Sequence, residues 1–230
     1  MLRTINLSIG FEGRALVKSI EIAANSAETI AIIGRSGSGK STLLRTLAGV
    51  LPPVHGHVEL EGKCIGSEEP ARHDRITGPW PAITAVFQDY RLLPHLTVRQ
   101  NCLLGLPSNN VILTRLETLV VNLALGDCID RRPSAISHGQ RQRSALLRAV
   151  LRSPKVLLLD EPSSAQDAAS LRCIQNILKS CQTADKTLII VVSHDIEFIC
   201  EIADQFFEIV GDQLIETTLD ARGSRRGGSN

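Results

Sequence analysis

The sequence has no CxxC pair, no apolar run near the ~20 residues of a membrane span and no apolar N-terminal core of the secretory kind. Its six cysteines (Cys64, Cys102, Cys128, Cys173, Cys181 and Cys200) are scattered. That spacing argues against a zinc site and a disulfide framework and fits a reducing cytosol. Charge bias is also missing: the formal net charge is +1, so no nucleic-acid partner is expected. Sequence repeats are absent. What is present is 230 residues with a hydrophobic share of 43%, enough for one large α/β domain or a domain carrying an inserted subdomain. The chain is expected to be soluble by itself, with any membrane role exercised through a partner.

Gly34-Arg35-Ser36-Gly37-Ser38-Gly39-Lys40-Ser41-Thr42 organises the rest. A strand-like run, Thr29 to Ile33, leads into it, and a helix-like run, Ser41 to Ala48, leaves it. Glycine, four residues, then Gly-Lys-Ser between strand and helix is the spacing of a phosphate-binding loop. Glycines let backbone N–H groups turn toward a polyphosphate, and the helix points its positive dipole end at the same anion. Lys40 can neutralise β/γ-phosphates, and the Ser41 hydroxyl can ligate Mg²⁺. The stretch reads as a nucleoside triphosphate site.

Along the chain, residues 1–33 read as short strands, with Leu7, Ile9, Leu16, Val17, Ile20 and Ile22 as apolar positions. Phe11, in a turn-like setting between Gly10 and Gly13, reads from this segment as a core residue. Gly56–Gly62 alternates like a strand, residues 66–82 support no assignment, and Ile83–Phe87 is a short strand leading to Gln88. From Val98 to about Leu125 the period is helical, with Leu113, Leu116, Leu119, Val120 and Leu123 on one stripe. Ser137 is an N-cap for a helix with Ala145, Leu146, Ala149 and Val150 inward. Val156–Asp160 and Thr187–Val192 read as buried parallel strands, each followed by a helix, and a closing hairpin turns at Gly211–Asp212. The layout predicts a nucleotide-binding core of residues 1–87 and 154–217 and a helical insertion over 88–153. Residues 218–230, rich in Gly, Ser and Arg from 221 onward, form a tail expected to be disordered.

Three strand ends carry chemistry, where ligands of parallel sheets sit. One is the loop at Gly34–Lys40. Another is Asp160-Glu161, where one carboxylate can hold Mg²⁺ and the other can deprotonate an attacking water. The third is His194, whose imidazole can bond a γ-phosphate oxygen. Gln88 follows a short strand, and its amide can ligate Mg²⁺ or bond that water. Ser137-His138-Gly139-Gln140 reads either as a capped helix or as a second anion-binding device. In the second case it serves the nucleotide of another copy, giving a head-to-tail dimer with two ATPs at the interface.

In this order the motifs resemble the nucleotide-binding ATPase subunit of ATP-binding-cassette (ABC) transporters, over essentially residues 1–217. Gly34–Thr42 is similar to the Walker A loop, Gln88 to the Q-loop and Ile136–Gln140 to the signature. Val156–Glu161 is similar to Walker B, Ser164–Asp167 to the D-loop, and His194 to the switch histidine. The resemblance implies an α/β fold: a P-loop NTPase core with a mixed sheet, N-terminal antiparallel strands and an inserted helical subdomain. It implies ATP and Mg²⁺ as cofactors, with Ser41, Gln88 and Asp160 toward the metal. Glu161 would be the general base, assisted by His194 and Gln88. Ser137, Gly139 and Gln140 would reach the ATP of the opposite protomer, Asp167 would belong to the D-loop, and Phe11 would stack on adenine.

Three positions depart from the family pattern. His138 stands where glycine is usual, Gln166 replaces the usual D-loop leucine, and Phe11 stands in place of tyrosine. Activity is expected all the same, with a His138→Gly change tolerated and Gln166 loosening packing across the dimer. The implied function is the ATPase subunit of a bacterial importer of a small solute, held at the cytoplasmic face of the membrane by separate membrane-spanning permease subunits. A solute-binding protein would be a further partner. The alternatives are an exporter or lipid-extraction ATPase, a soluble cassette ATPase, and a phosphate-binding protein that does not turn over.

Overall fold

The structure, a computed structural model, describes residues 1–67, 82–164 and 166–219. The unassigned stretch 66–82 and the tail thus fall largely outside the described residues. Within the presumed tail Leu219 forms an isolated bridge and packs against a core cluster.

The chain opens with β1 (Leu2–Phe11), β2 (Arg14–Ile20) and the short β3 (Ala23–Ala24), then β4 (Thr29–Gly34) and α1 (Lys40–Leu47). Next come β5 (His55–Leu60), β6 (Lys63–Ser67) and β7 (Ile83–Val86). The helical part holds α2 (Val98–Leu103), α3 (Asn110–Asn122) and α4 (His138–Val150), the last preceded by a 3-10 turn at Pro133–Ala135. The chain then returns to β8 (Val156–Asp160), α5 (Ala168–Thr183), β9 (Leu188–Val192), α6 (Ile196–Cys200), β10 (Gln205–Val210) and β11 (Gln213–Thr217). The sheet order is β6-β5-β1-β2-β11-β10-β4-β9-β8-β7, with β3 paired to β1. β7, β8, β9, β4 and β10 run parallel, while β1, β2, β5 and β6 are antiparallel. This is the mixed sheet the sequence led us to expect.

Period-2 alternation explains why the parallel strands read as continuous apolar runs. Leu157, Leu159, Ile189, Val191, Ala31 and Ile33 point into the cluster under the helical part. Val156, Leu158, Leu188, Ile190, Ile30 and Ile32 point into the opposite cluster, which α1 covers with Leu43, Leu44 and Leu47. These three leucines are fully buried, each contributing about 1.5–3 kcal/mol of transfer free energy.

Two helical expectations are corrected. The helical period from Val98 to Leu125 is broken between α2 and α3, where Gly105 takes φ 73° and Pro107 removes a donor. Leu113 is exposed: the buried face of α3 is Leu116, Leu119 and Val120, and in the first turn Ile112, four residues before Leu116, packs against the core in place of Leu113.

Asn101 holds the segment that follows Gln88. Its buried side chain accepts from the Leu93 backbone N–H at 2.7 Å and donates to the carbonyls of Leu93, Leu96 and Thr97 at 3.1, 3.3 and 2.9 Å. Asn101→Ala removes the partner of the Leu93 N–H and the side-chain donor to the three carbonyls, of which Leu93 and Thr97 keep a backbone bond, and urea denaturation is expected to give a loss of about 1–3 kcal/mol.

Candidate functional site

The site begins with the backbone of the Gly34–Thr42 loop. Gly37 and Gly39 have φ of 77° and 105°, left-handed conformations that a side chain would strain. A Cβ on Gly39 would also stand 3.3 Å from a Val17 methyl of the antiparallel leaf. Gly39 caps α1 without a side-chain hydrogen bond, leaving the first helical N–H groups turned to the loop. Lys40 Nζ donates to the carbonyls of Gly34 and Arg35, both at 2.9 Å. An ammonium has three N–H groups, so one remains for an anion. Ser38 Oγ is buried with no protein partner.

Phe11, Leu16, Ser36, Gly37, Gly39, Lys40, Ser41, Thr42, Gln88, Asp160 and Glu161 line one cavity of about 360 Å³. Phe11 is 49% exposed there, which corrects its reading as a core residue. Asp160 shares strand parity with Val156 and Leu158, so its carboxylate turns to the α1 side, where it meets the Ser41 hydroxyl. It is 4% exposed, and burial raises its pKa against the opposing pull of Ser41, Arg45 and Lys40. A buried carboxylate, a serine hydroxyl and the Gln88 amide lining the same cavity are a set of hard oxygen donors that fits a small divalent cation.

Glu161 leaves the strand with φ 54°, which turns it away from Asp160. Its Oε2 lies 2.8 Å from His194 Nδ1 and also accepts from the His194 backbone N–H and Ser193 Oγ, each at 3.3 Å. The three strand ends found in the sequence therefore converge: the loop, the Asp160–Glu161 pair and His194. Ser137, Gly139 and Gln140 are not among the cavity's lining residues. They cap α4 through a reciprocal pair: Gln140 N–H donates to Ser137 Oγ at 3.1 Å, and Ser137 N–H donates to Gln140 Oε1 at 2.9 Å. Asp167 caps α5 by accepting from Ser170 N–H at 2.7 Å, a bond that also lowers its pKa.

Two features escaped sequence reasoning. Gln142 is buried and donates to the Glu161 carbonyl at 2.8 Å and to Ser164 Oγ at 3.2 Å. The available signal was its helical position, three and four residues before Ala145 and Leu146, a polar group on an apolar stripe. Gln166, expected to loosen packing, is tied within the chain: it accepts from Arg143 at 2.7 Å and donates to Gln142 Oε1 at 2.6 Å and the Gly139 carbonyl at 3.3 Å.

A phosphate loop and a buried carboxylate at neighbouring strand ends, with a helical part carrying a capped Ser-His-Gly-Gln turn, define a P-loop nucleotide-binding cassette. Residues 17–164 match the ABC transporter family, and the chain belongs to that family. Among curated relatives, the sn-glycerol-3-phosphate import ATP-binding protein UgpC 2 of Rhizobium johnstonii is 35% identical over 217 residues, covering 93% of this chain and 61% of that protein. The aliphatic sulfonates import ATP-binding protein SsuB 2 of Agrobacterium fabrum is 34% identical, covering 93% of this chain and 78% of that protein. Among solved structures, the dimeric post-hydrolysis state of the ATP-binding cassette MJ0796 bound to ADP and Pi aligns with a TM-score of 0.79 at 25% identity, over 93% of this chain and 96% of that one.

The raised pKa of Asp160 yields a stability test. A carboxylate whose folded pKa is raised is charged in the fold only at a cost, which sets in above the unfolded pKa and is complete above the folded one. Without added nucleotide or metal, Asp160→Asn should therefore raise Tm at pH 8. Removing about 1 kcal/mol of buried-charge penalty corresponds to roughly 2–4 °C in a domain of this size. The gain should shrink as pH falls through the folded pKa to the ordinary carboxylate value near ~4, and scanning calorimetry from pH 8 down to that value checks it.

Proposed function

We propose that this chain is the ATP-binding and ATP-hydrolysing subunit of a bacterial ABC importer, working as a head-to-tail pair beneath separate membrane-spanning subunits. The observation that carries the reading is the cavity in which Lys40, Ser41, Gln88, Asp160 and Glu161 meet, with His194 hydrogen-bonded to Glu161. Residues 1–87 and 154–217 act as the nucleotide-binding core and 88–153 as the helical signature part.

In this reading the adenine of ATP stacks on Phe11, whose exposed ring faces the cavity. The phosphates lie along the backbone N–H groups of the Ser36–Thr42 loop, and the third proton of Lys40 Nζ meets the β/γ oxygens. Ser41, Asp160 and Gln88 would hold Mg²⁺, which when bound neutralises charge on the same phosphate oxygens. Glu161 accepts a proton from water as the water oxygen bonds to the γ-phosphorus, and the bond to the bridging oxygen of ADP breaks. His194, on Glu161 Oε2, fixes the carboxylate's direction. Ser137 and Gly139, outside the lining of the chain's own cavity, face the γ-phosphate held by the opposite copy, with the α4 N-terminus behind them.

The partner assignment is supported by relatives whose names describe import ATP-binding proteins. Those names carry different solutes, so the solute of this system is left open. A groove of about 470 Å³ lined by Val50, Ala85, Phe87, Leu104, Arg148 and Arg152, among others, adjoins the Gln88–Leu96 segment and suits a segment of the permease. No helix among the described residues is long and apolar enough to cross a membrane.

Glu161→Gln keeps the shape of the carboxylate and removes the base. Turnover should fall by about 10²–10⁴-fold, and light scattering with saturating ATP-Mg²⁺ should report a dimer; a monomer there contradicts the paired site. For the importer assignment, tagged Glu161→Gln protein pulled from gently solubilised host membranes should bring a multi-span chain with it. Recovery of only cytosolic factors would leave a soluble ATPase.

A further inference from the structure

The turn Ser137–Gly139 is held from two sides by groups that have no role in the reading above. On one side the His138 ring meets Tyr90. The phenol oxygen is 3.1 Å from Nε2 and 3.4 Å from Nδ1, and the ring centroids are 5.1 Å apart at 63°. Tyr90 follows Gln88 by two residues, is 7% exposed and has φ 55°. Its neighbour Arg91 is also left-handed, with φ 46°. Such backbone costs of order 1–3 kcal/mol per residue and persists where the surroundings over-determine it. Here they do: Arg148, three turns along α4 from His138, donates to the carbonyls of Tyr90 at 2.8 Å and Arg91 at 2.6 Å.

On the other side Gln166 holds the Gly139 carbonyl. That side reaches Glu161: Gln166 also donates to Gln142, Gln142 donates to the Glu161 carbonyl and to Ser164, and Ser164 donates to the Glu161 carbonyl at 2.9 Å. One polar cluster therefore joins the segment after Gln88, the turn at Ser137 and the backbone of Glu161.

We infer that Tyr90 and His138 form a positioning pair that sets Ser137 and Gly139 against the ATP of the opposite protomer according to where the Gln88 segment stands. Histidine at 138 supplies what glycine cannot: a ring reaching that segment and a hydrogen bond to the phenol. The expectation that His138→Gly is tolerated is replaced accordingly. This inference rests on the proposed ATPase function.

The test is steady-state ATP hydrolysis by the intact protein and by Tyr90→Phe, His138→Gly and the double variant. It is accompanied by the affinity of the isolated protomer for a fluorescent ATP analogue. Tyr90→Phe keeps the ring and loses only the hydroxyl. It should lower kcat about three- to tenfold, the effect of one neutral hydrogen bond, with protomer affinity unchanged within about twofold. In the His138→Gly background the same change should be nearly silent, since the bond is already gone. His138→Gln, which offers the phenol a partner again, should recover most of the kcat lost in His138→Gly. Equal losses from Tyr90→Phe in both backgrounds, an unchanged kcat, or a loss confined to nucleotide affinity would overturn the pair's role while leaving the ATPase reading standing. A wild-type protein that binds no ATP, or binds it without turnover, overturns that reading and the pair's role with it.

Discussion

Because Ile32 pairs with Val192 and Val192 with Asp160, β9 and β8 finish in one row beside Ile32, and β4 runs on to Gly34. β7 joins them one position earlier, with Val86 opposite Leu159. The residues that follow each strand are thereby delivered to one edge: the phosphate loop after β4, Glu161 after β8, His194 after β9 and Gln88 after β7. A one-residue slip would reverse the face of every side chain on the slipped strand. It would also take the Asp160 carboxylate away from Ser41. Both faces of these strands are buried, one under α1 and the other under α4 and α5, and that double burial makes a slip costly. The register comes from hydrophobic burial, and the site chemistry depends on it.

Within that frame the two adjacent acids are separated by backbone geometry. Asp160 belongs to the strand and obeys its alternation, whereas Glu161 sits in a left-handed turn outside it. Neighbours in sequence thus face different partners: Ser41 and the α1 terminus for one, His194 and Ser193 for the other. Environment divides their labour, with burial raising the pKa of Asp160 and a polar cluster receiving Glu161.

Much of this was legible in the sequence because it is local. The loop spacing, the apolar runs of β8 and β9 and the Ser137 cap each occupy fewer than about ten residues and carry their own period or punctuation. The ends of those runs located Asp160, Glu161 and His194. What remained hidden is non-local. Tyr90 and His138 are 48 residues apart, Gln142 and Glu161 are 19, and no periodicity joins them. Leu113 illustrates the opposite error, an apolar residue in phase with a stripe whose first-turn contact with the core is made by its neighbour Ile112. Gln166 reads as a loss when set against leucine, yet its amide closes a set of bonds among Gly139, Gln142 and Arg143 that an apolar side chain could not make.

The sheet is also two leaves meeting at a thin seam. Between β2 and β11 one residue pair is in register, Gln213 with Lys18, reinforced by the Lys18 N–H donating to the Asp212 carbonyl at 2.8 Å and by a Lys18–Asp212 ion pair. Both side chains of that pair are more than half exposed, so solvent screens their attraction. Phe11 and Leu16 belong to one leaf, and Lys40 and Asp160 to the other, on opposite walls of a single cavity. In the proposed reading, a nucleotide gripped at its base by the first and at its phosphates by the second would be a rivet through the seam. Its arrival would stiffen the joint where the sheet itself is weakest, and its departure would hand that line of compliance back to the fold.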